Sequence, residues 1–329
     1  MSERKLSRRY FLSSALAAGL SAVLADLSMV FAQIDAGSSI SERARSTRMD
    51  EGRPSATAWG AAMYRAAHQI LDDPRILDDP IALRIIGANA ESVLRSNPGR
   101  FQKNRFLRAF IVLRSRYAED ELAQAIKRGV RQYVILGAGL DTFPYRNPYS
   151  ESRLHVYEVD HPATQSWKCK RLHEAGVAIP NSLTFAPIDF ERQTLADGLS
   201  RAGFKTDELT FFSLLGVIVY LTKAAVMETF KFVASLPPGS EIVFSCGIPT
   251  SSLSQNQQLA RETLAKEMAA IGEPWLTYFD PSSLAGDLRQ MGFKNVEDFG
   301  PEAANERYFK DRTDGLRVGG SGRLMKAHV

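Results

Sequence analysis

From residue 133 onwards, short apolar segments with the character of β-strands alternate with segments of helical pattern. The strand-like segments are residues 133–136, 154–160, 183–188, part of the apolar run 209–221, 241–246, 295–299 and 323–327. Apolar strands that alternate with helices are typical of a sheet that is covered by helices on both faces. No internal repeat or low-complexity tract suggests another architecture. The sequence therefore predicts a doubly wound α/β fold.

Residues 56–128, which precede the first strand, carry apolar side chains at helical spacing. Two Asp-Asp-Pro sequences, at 72–74 and 78–80, divide this region, because the residue before a proline is pushed out of the helical conformation. Helices that come before the first strand are expected to cover part of the sheet. We therefore predict a helical lid at residues 55–129 and a core at residues 130–329.

The amino terminus has the features of an export signal. Arg8 and Arg9 are followed by an aromatic residue and a leucine, and then by an apolar stretch from Ala15 to Ala25 that is too short to span a bilayer comfortably. We predict a twin-arginine-type signal at residues 1–32, with the export machinery as partner and a periplasmic or cell-envelope location. The alternative is a start-site artefact or an amphipathic helix on a cytoplasmic protein. The polar, Ser-rich residues 33–54 are predicted to form a flexible tether.

The net charge of +4 gives little support to nucleic-acid binding. The first 33 residues hold four basic and two acidic side chains, which leaves 37 basic and 35 acidic side chains in the rest of the chain. So small an excess cannot form the large basic face that releases counterions from a duplex, and no nucleic-acid partner is predicted. Cys169, Cys246 and five scattered histidines exclude a disulfide scaffold and any zinc site of recognisable spacing, so no metal is predicted.

A glycine-containing turn follows the first predicted strand, where open parallel sheets bind their ligands. Gly137 permits a tight turn, and Gly139 allows the backbone to approach a ligand that a Cβ would exclude. A dinucleotide fingerprint would need a third glycine at the position of Thr142. The turn therefore favours a ligand without a pyrophosphate.

Aspartates stand at the ends of the next two predicted strands. Asp160 ends the second strand, where a carboxylate can accept hydrogen bonds from both ribose hydroxyls of a nucleoside. Asp189 ends the third strand, where it or its neighbouring backbone can accept from an adenine amino group. Each alone could be a turn aspartate, which is common at strand ends. Together with the glycine turn, the two aspartates predict an adenosine-containing ligand.

Several longer sequences carry a resemblance to a known family. They are LGAGLDTFPYR at 136–146, VYEVDHPATQSWKCKRL at 156–172, LLGVIVYL at 214–221, EPWLTYFDPSSLAGDLRQMGF at 273–293 and RYFKDRTDGLR at 307–317. The chain resembles, over roughly residues 55–327, the S-adenosylmethionine-dependent methyltransferases of the leucine carboxyl methyltransferase type, bacterial branch. The resemblance implies a class I methyltransferase with a Rossmann-like seven-stranded sheet, an antiparallel final hairpin and an N-terminal helical lid.

The resemblance also implies roles for residues that match the family's motifs. Gly137 and Gly139 are expected to border the methionine part of S-adenosyl-L-methionine, and Asp160 is expected to hold its ribose. Asp189 and Phe190 are expected to border its adenine.

In the family an arginine on the helix before the first strand pairs with the cofactor's carboxylate. Arg114 matches this position best, and Arg116 is the second candidate. A guanidinium can hold a carboxylate through two parallel hydrogen bonds. The alternative for either arginine is a solvated helix face on which it pairs with Glu119 or Asp120.

Two positions depart from the family's usual pattern. An acid usually precedes the glycine of the fourth strand, where this chain has Leu215, and an arginine usually follows Asp-Thr, where this chain has Phe143. The change at Leu215 removes a polar contact beside the cofactor or the substrate. A non-catalytic protein that binds S-adenosylmethionine is therefore one alternative, and an NAD-dependent oxidoreductase is another.

The resemblance implies an O-methyltransferase that acts by in-line methyl transfer on a small-molecule or peptide carboxylate or hydroxyl. An ionised carboxylate needs no base, whereas a hydroxyl needs one within hydrogen-bond reach. Tyr220 and His161 are the candidates for this base, although a structural role is favoured for His161. Tyr220 and Arg146 are predicted to position the substrate; the alternatives are packing of Tyr220 in the pocket wall and capping of the loop by Arg146.

Overall fold

A computed structural model describes residues 55–190 and 192–329 of the 329-residue chain. Ten α-helices lie in this part of the chain: α1 Ala56–Leu71, α2 Ala82–Ser96, α3 Pro98–Lys103, α4 Arg105–Arg128, α5 Pro162–Glu174, α6 Leu195–Arg201, α7 Lys223–Ala234, α8 Gln255–Ala270, α9 Pro281–Gln290 and α10 Pro301–Tyr308. The strands are β1 Gln132–Leu136, β2 His155–Asp160, β3 Leu183–Pro187, β4 Thr210–Leu214, β5 Glu241–Gly247, β6 Asn295–Phe299 and β7 Gly322–His328. The signal and tether predicted at residues 1–32 and 33–54 lie outside the described residues.

The strands form one seven-stranded sheet in the order β3-β2-β1-β4-β5-β7-β6. Strands β1 to β5 are parallel, and β7 runs antiparallel to both β5 and β6. The chain moves outward from β1 to β3 and then returns to the other side of β1 as β4. Such a reversal opens a crevice at the carboxyl ends of the strands. The predicted doubly wound, seven-stranded α/β fold is confirmed, including its antiparallel final pair of strands.

The sheet is covered on both faces because its strands alternate their side chains. In β1, Tyr133 and Ile135 pack in one core with α4 and α10, whereas Val134 and Leu136 pack in a second core with α6, α7 and α9. Successive side chains of a strand point to opposite faces, so a continuous apolar strand must be covered twice. This explains why β1 is buried along its whole length.

The helices of residues 55–129, which we continue to call the lid, pack both on one another and on the sheet. A third apolar cluster joins α1, α2 and α3 to Ile111 of α4 and to Leu172 of α5. Farther along α4, Leu113, Tyr117 and Leu122 pack on the sheet. A helix of 24 residues is roughly 36 Å long, so α4 can contact both the lid and the sheet. Helical spacing alone does not show what a helix packs against, and the assignment of residues 55–129 to a lid stays a prediction.

A buried ion pair ties the end of α1 to α4. Arg108 donates from Nε and Nη2 to the two carboxylate oxygens of Asp72, each at 2.7 Å. His68 Nδ1 lies 2.7 Å from the same carboxylate, while His68 Nε2 accepts from the backbone N–H of Ile76. Burial by itself would raise the pKa of Asp72, but the bonds from His68 and Arg108 outweigh it and the pKa lies below its ordinary value of 3.8.

We expect Arg108→Met to lower the free energy of unfolding by about 3 to 5 kcal/mol, because it leaves the buried Asp72 carboxylate without its main partner. Urea denaturation at pH 7 measures this change. Arg95→Met is the matched control, since Arg95 pairs with Glu91 on an exposed helix face and its loss should cost less than about 1 kcal/mol.

The contribution of Asp72 to the free energy of unfolding depends on pH, and its sign follows from the shift of the Asp72 pKa. The pKa of Asp72 is lowered in the folded protein, so the stability it contributes is complete above pH 3.8 and is lost as the pH falls below that value. The difference in the free energy of unfolding between wild type and Arg108→Met should therefore become smaller as the pH is lowered. Equal unfolding free energies at pH 7 would contradict the assigned role of the pair.

Candidate active site

One large cavity, of about 2410 Å³, lies at the carboxyl edge of the sheet beneath the lid. Its walls come from the turns after β1, β2, β3 and β4, from α1 and α4 of the N-terminal region, and from α8 with the segment that follows it. Typical small-molecule sites enclose roughly 300 to 1,000 Å³. The cavity is therefore large enough for two ligands side by side.

The turn after β1 is held in a conformation that requires glycine. Gly137 has φ of 65°, and a Cβ at this position would lie 2.3 Å from Val217 Cγ2. The backbone N–H groups of Gly137 and Ala138 both donate to the carbonyl of Val159, at 2.8 and 3.0 Å. Gly139, with φ of 46°, approaches the lid so closely that a Cβ would lie 3.0 Å from the Cβ of Ala58. Both predicted glycines therefore line the cavity with bare backbone.

Asp160 stands at the end of β2 and faces the same cavity. Its carboxylate accepts hydrogen bonds from the backbone N–H of Gly139 and, at 2.7 Å, from that of His161. Burial raises its pKa above the ordinary value, although these two bonds act in the opposite direction. A carboxylate has about four acceptor positions, so two remain for donors from a ligand.

The turn after β3 brings Asp189 and Phe190 to the cavity beside Asp160. The N–H of Ile188 donates to the carbonyl of Asp160 at 2.9 Å, which joins the two turns. The Asp189 carboxylate lies 3.5 Å from Arg192 Nε. The structure thus places Gly137, Gly139 and three further predicted residues along one side of the cavity.

Arg114 projects from α4 into the cavity without an acidic partner. Within the described part of the chain, Tyr220 and Asp141 attract its guanidinium electrostatically, but neither forms a hydrogen bond or ion pair with it. It lies against Gly216, where a Cβ would be 2.1 Å from Nη1. Burial and the nearby charge of Arg65 lower its pKa to about 10. An uncompensated, half-buried guanidinium of this kind is suited to bind an anionic group.

Arg116, the second candidate, lies elsewhere. It is exposed, pairs with Asp120 at 2.8 Å and donates to the carbonyl of Ile76. It therefore takes the solvated-face arrangement that the sequence allowed for one of the two arginines. Of the pair, only Arg114 lines the cavity.

Arg146, predicted to position the substrate, is outside the cavity lining. Its guanidinium makes two parallel hydrogen bonds to the Glu119 carboxylate and lies 3.6 Å from Asp79. Its donors are thus committed to acids of α4 and of the loop before α2. The arrangement is a correction to the predicted substrate contact and agrees with the alternative, in which Arg146 holds the loop.

Tyr220 lines the cavity near Thr57 and Trp275. Burial raises the pKa of its hydroxyl above the ordinary value of 10, so the group stays protonated at neutral pH. It can donate a hydrogen bond but is poorly suited to remove a proton. His161 also lines the cavity, and its Nδ1 accepts from the N–H of Ala163 at the start of α5. That contact is the structural role that the sequence favoured for His161.

The two departures from the family pattern have different surroundings. Leu215 lines the cavity directly before Gly216, so an apolar wall replaces the usual acid there. Phe143 is buried in the core, with its ring centroid 5.2 Å from that of Tyr133. Phe143 therefore packs in the core, whereas Leu215 changes the surface of the cavity that a ligand would contact.

Glu273 is a cavity residue whose role the sequence did not reveal. Its carboxylate accepts from the backbone N–H groups of Ala56 and Thr57, at 2.6 and 3.2 Å, and from the Thr57 hydroxyl. These are the unsatisfied N–H groups at the start of α1, where a negative charge is favoured. Glu273 follows α8, so it closes the cavity by joining that segment to the lid. Its contacts span more than 200 residues, a separation at which no local sequence signal operates.

Two absences hold within the described residues. No group of three or more His, Cys, Asp and Glu side chains is placed to hold a metal ion. No helix in the same ranges has both the length and the apolar character needed to cross a membrane.

Comparison with known proteins places the chain in a family. The family model described as "Leucine carboxyl methyltransferase" matches residues 58–234. The chain is 34% identical over 296 residues to the "Putative S-adenosyl-L-methionine-dependent methyltransferase YktD" of Bacillus subtilis (strain 168), covering 82% of this chain and 95% of that protein. A protein of Mycobacterium avium (strain 104) with the same name, apart from YktD, is 30% identical over 221 residues, covering 63% of this chain and 69% of that protein. The chain belongs to the leucine carboxyl methyltransferase family, as its sequence motifs predict.

Proposed function

We propose that this protein is an S-adenosylmethionine-dependent O-methyltransferase whose acceptor is a carboxylate or hydroxyl. The family match and the named relatives confirm the predicted cofactor and the methyltransferase class. The observation that carries the site assignment is the pairing, in one cavity, of an uncompensated arginine with an aspartate that has free acceptor positions.

The described residues fit the cofactor by their chemistry. Arg114 would hold the carboxylate of its methionine part, Asp160 would accept from the ribose hydroxyls, and Asp189 with Phe190 would border the adenine. Gly137 and Gly139 would border the methionine part through their backbone, and the absence of a Cβ lets this turn pack against Val217 and Ala58. When bound, S-adenosylmethionine supplies an electrophilic methyl group on a sulfonium, which an acceptor oxygen takes as S-adenosylhomocysteine leaves.

The protein's own contribution to such a transfer is chiefly positional. Holding two reactants in line and in contact can supply roughly 7 to 11 kcal/mol of barrier lowering. Glu273 fixes the lid against the segment after α8 and so helps to exclude water. Tyr220, which stays protonated, can donate to an acceptor oxygen and orient it. These features suit an ionised carboxylate, which needs no base, better than an unactivated hydroxyl.

A non-catalytic protein that binds S-adenosylmethionine is the second candidate, and Leu215 is the observation that favours it. Such a protein would bind the cofactor but would release no S-adenosylhomocysteine with any carboxylate or phenol acceptor. Leu215→Glu would then restore release. NAD binding without S-adenosylmethionine binding, measured by calorimetry, would instead support the oxidoreductase alternative.

The role of Arg114 can be tested with two ligands that differ at the amino-acid end. We expect Arg114→Met to weaken S-adenosylhomocysteine binding at least tenfold, because a charge-assisted hydrogen bond contributes about 1.5 to 3 kcal/mol. Binding of 5′-methylthioadenosine, which lacks the carboxylate, should change less than threefold. Arg116→Met is the matched control and should bind both ligands as wild type does. Equal weakening of both ligands by Arg114→Met would contradict the assignment.

The chemistry of transfer can be read from the product. Incubation with methyl-labelled S-adenosylmethionine and a panel of carboxylic acids and phenols should give labelled O-methyl products. A methyl ester releases labelled methanol in mild base, whereas a methyl ether does not, so the two acceptor classes separate in one step. Label found only on nitrogen or carbon would refute O-methyl transfer.

We also propose, from Arg8, Arg9 and the apolar stretch that follows them, that residues 1–32 direct export. The full-length tagged protein should be found in the periplasmic or cell-envelope fraction, and the variant with both arginines changed to lysine should stay in the cytoplasm. An exclusively cytoplasmic wild-type protein would contradict this proposal.

A further inference from the structure

One of the arginines that line the cavity, Arg261, is not among the residues that match the family's cofactor motifs. Arg261, on α8, donates from Nη1 to the carbonyl of Ile248 and from Nη2 to that of Ser321, the latter at 3.4 Å. Its guanidinium carbon stands 4.7 Å from the ring centroid of Tyr278. A guanidinium has five N–H donors, so three have no partner within the described chain.

The charge of Arg261 is not neutralised by any acid of the described residues, which offer it carbonyl oxygens and an aromatic face. Burial lowers its pKa below the ordinary value, although Tyr278 acts in the opposite direction. The acids that line the cavity within the described residues are Asp141, Asp160, Asp189 and Glu273, and none of them is hydrogen-bonded to Arg261. Arg261 is therefore a positive position of the cavity without an acidic partner among those residues.

Apolar side chains line the cavity near Arg261, together with polar groups of α8 and of the loop before β7. Phe110 of α4 reaches the loop that also contacts Arg261, since a Cβ at Gly322 would lie 2.7 Å from the Phe110 ring. Leu264 and Met268 follow Arg261 along α8 and line the same cavity. We call the compartment bounded by Phe110, Arg261, Leu264, Met268 and Tyr278 the apolar compartment.

The apolar compartment adjoins the part of the cavity that holds Arg114. Tyr278 packs against Gly247 at the end of β5, where a Cβ would lie 3.0 Å from its ring. The neighbouring strand end is tied to β5 by Gly216, whose N–H donates to Ser245 Oγ at 2.7 Å. Gly216 in turn contacts the Arg114 guanidinium. A ligand in the apolar compartment would therefore lie beside the cofactor.

We propose that the apolar compartment binds the methyl acceptor and that Arg261 selects acceptors with one carboxylate and a bulky apolar body. The inference rests on the proposed function and adds the substrate class. A guanidinium with three unused donors recognises a carboxylate, and the apolar walls provide burial for a hydrocarbon or aromatic body. A neutral molecule of the same size would bury the same surface but would leave the charge of Arg261 unmatched.

The test uses decanoate and 1-decanol, which share a chain length and differ in charge, with the full-length protein and calorimetry. Decanoate should bind wild type at least tenfold more tightly than decanol. Arg261→Met should reduce this preference to less than threefold without changing affinity for S-adenosylhomocysteine. Arg116→Met, which removes an exposed arginine, should keep the full preference.

Phe110→Ala gives an independent reading, because it shortens the apolar wall and leaves Arg261 in place. This substitution should weaken the binding of decanoate and the binding of decanol by similar factors. The proposal is overturned if decanoate does not bind, if wild type shows no preference for it, if the preference survives in Arg261→Met, or if Phe110→Ala changes neither ligand.

Titrations of decanoate with and without S-adenosylhomocysteine test the acceptor class separately from the proposed function. Failure of S-adenosylhomocysteine to bind would contradict the proposed function, whatever decanoate does. Normal S-adenosylhomocysteine binding without an Arg261-dependent preference for decanoate would overturn only the acceptor class.

Discussion

The turn after β1 packs closely against the end of β2, the segment after β4 and the lid. The geometry of the cavity depends on this close packing. The N–H groups of the turn bind the end of β2 through the carbonyl of Val159, its Gly137 faces Val217 after β4, and its Gly139 faces Ala58 of the lid. A side chain at either glycine would push one of these neighbours away. The two strand ends and the lid can therefore approach one another only because this turn is bare backbone. The aspartate of β2 then lies within reach of the same turn.

The candidate arginines near this turn differ in whether an acidic side chain of the protein already pairs with them. Arg146 and Arg114 look equivalent in the sequence. The bonds of Arg146 to Glu119 outweigh the effect of burial and raise its pKa, whereas burial and Arg65 lower the pKa of Arg114. A matched arginine stabilises the fold and an unmatched one is available to a ligand. The same criterion distinguishes Arg261 from the paired surface arginines.

Much of the fold could be predicted because its signals are local. Apolar runs that end before a glycine or at an aspartate located strands such as β1 and β2. Helix α8 was missed because Met268 is its only buried residue, which leaves little apolar periodicity to detect. Arg261 lies on that helix and was missed with it.

The parts of the site that escaped prediction depend on contacts between distant residues. The pairing of Arg146 with Glu119 and the capping of α1 by Glu273 join elements that only the tertiary fold brings together. The predicted cofactor residues Asp160 and Asp189 lie at or just after strand ends, where short motifs mark them. Arg114 lies on α4 and was assigned from the family resemblance. The proposed acceptor side combines α4, α8 and the loop before β7 with Tyr278 of the 273–293 sequence, and these parts meet only in the tertiary fold.

We propose that the carboxyl edge around Asp160 holds the nucleoside of S-adenosylmethionine. Calorimetric titration of Asp160→Ala with S-adenosylhomocysteine tests this assignment, with Asp207→Ala, which changes an exposed loop aspartate, as the control. We expect Asp160→Ala to lose detectable binding and Asp207→Ala to bind as wild type does. Wild-type affinity in a folded Asp160→Ala protein would contradict it.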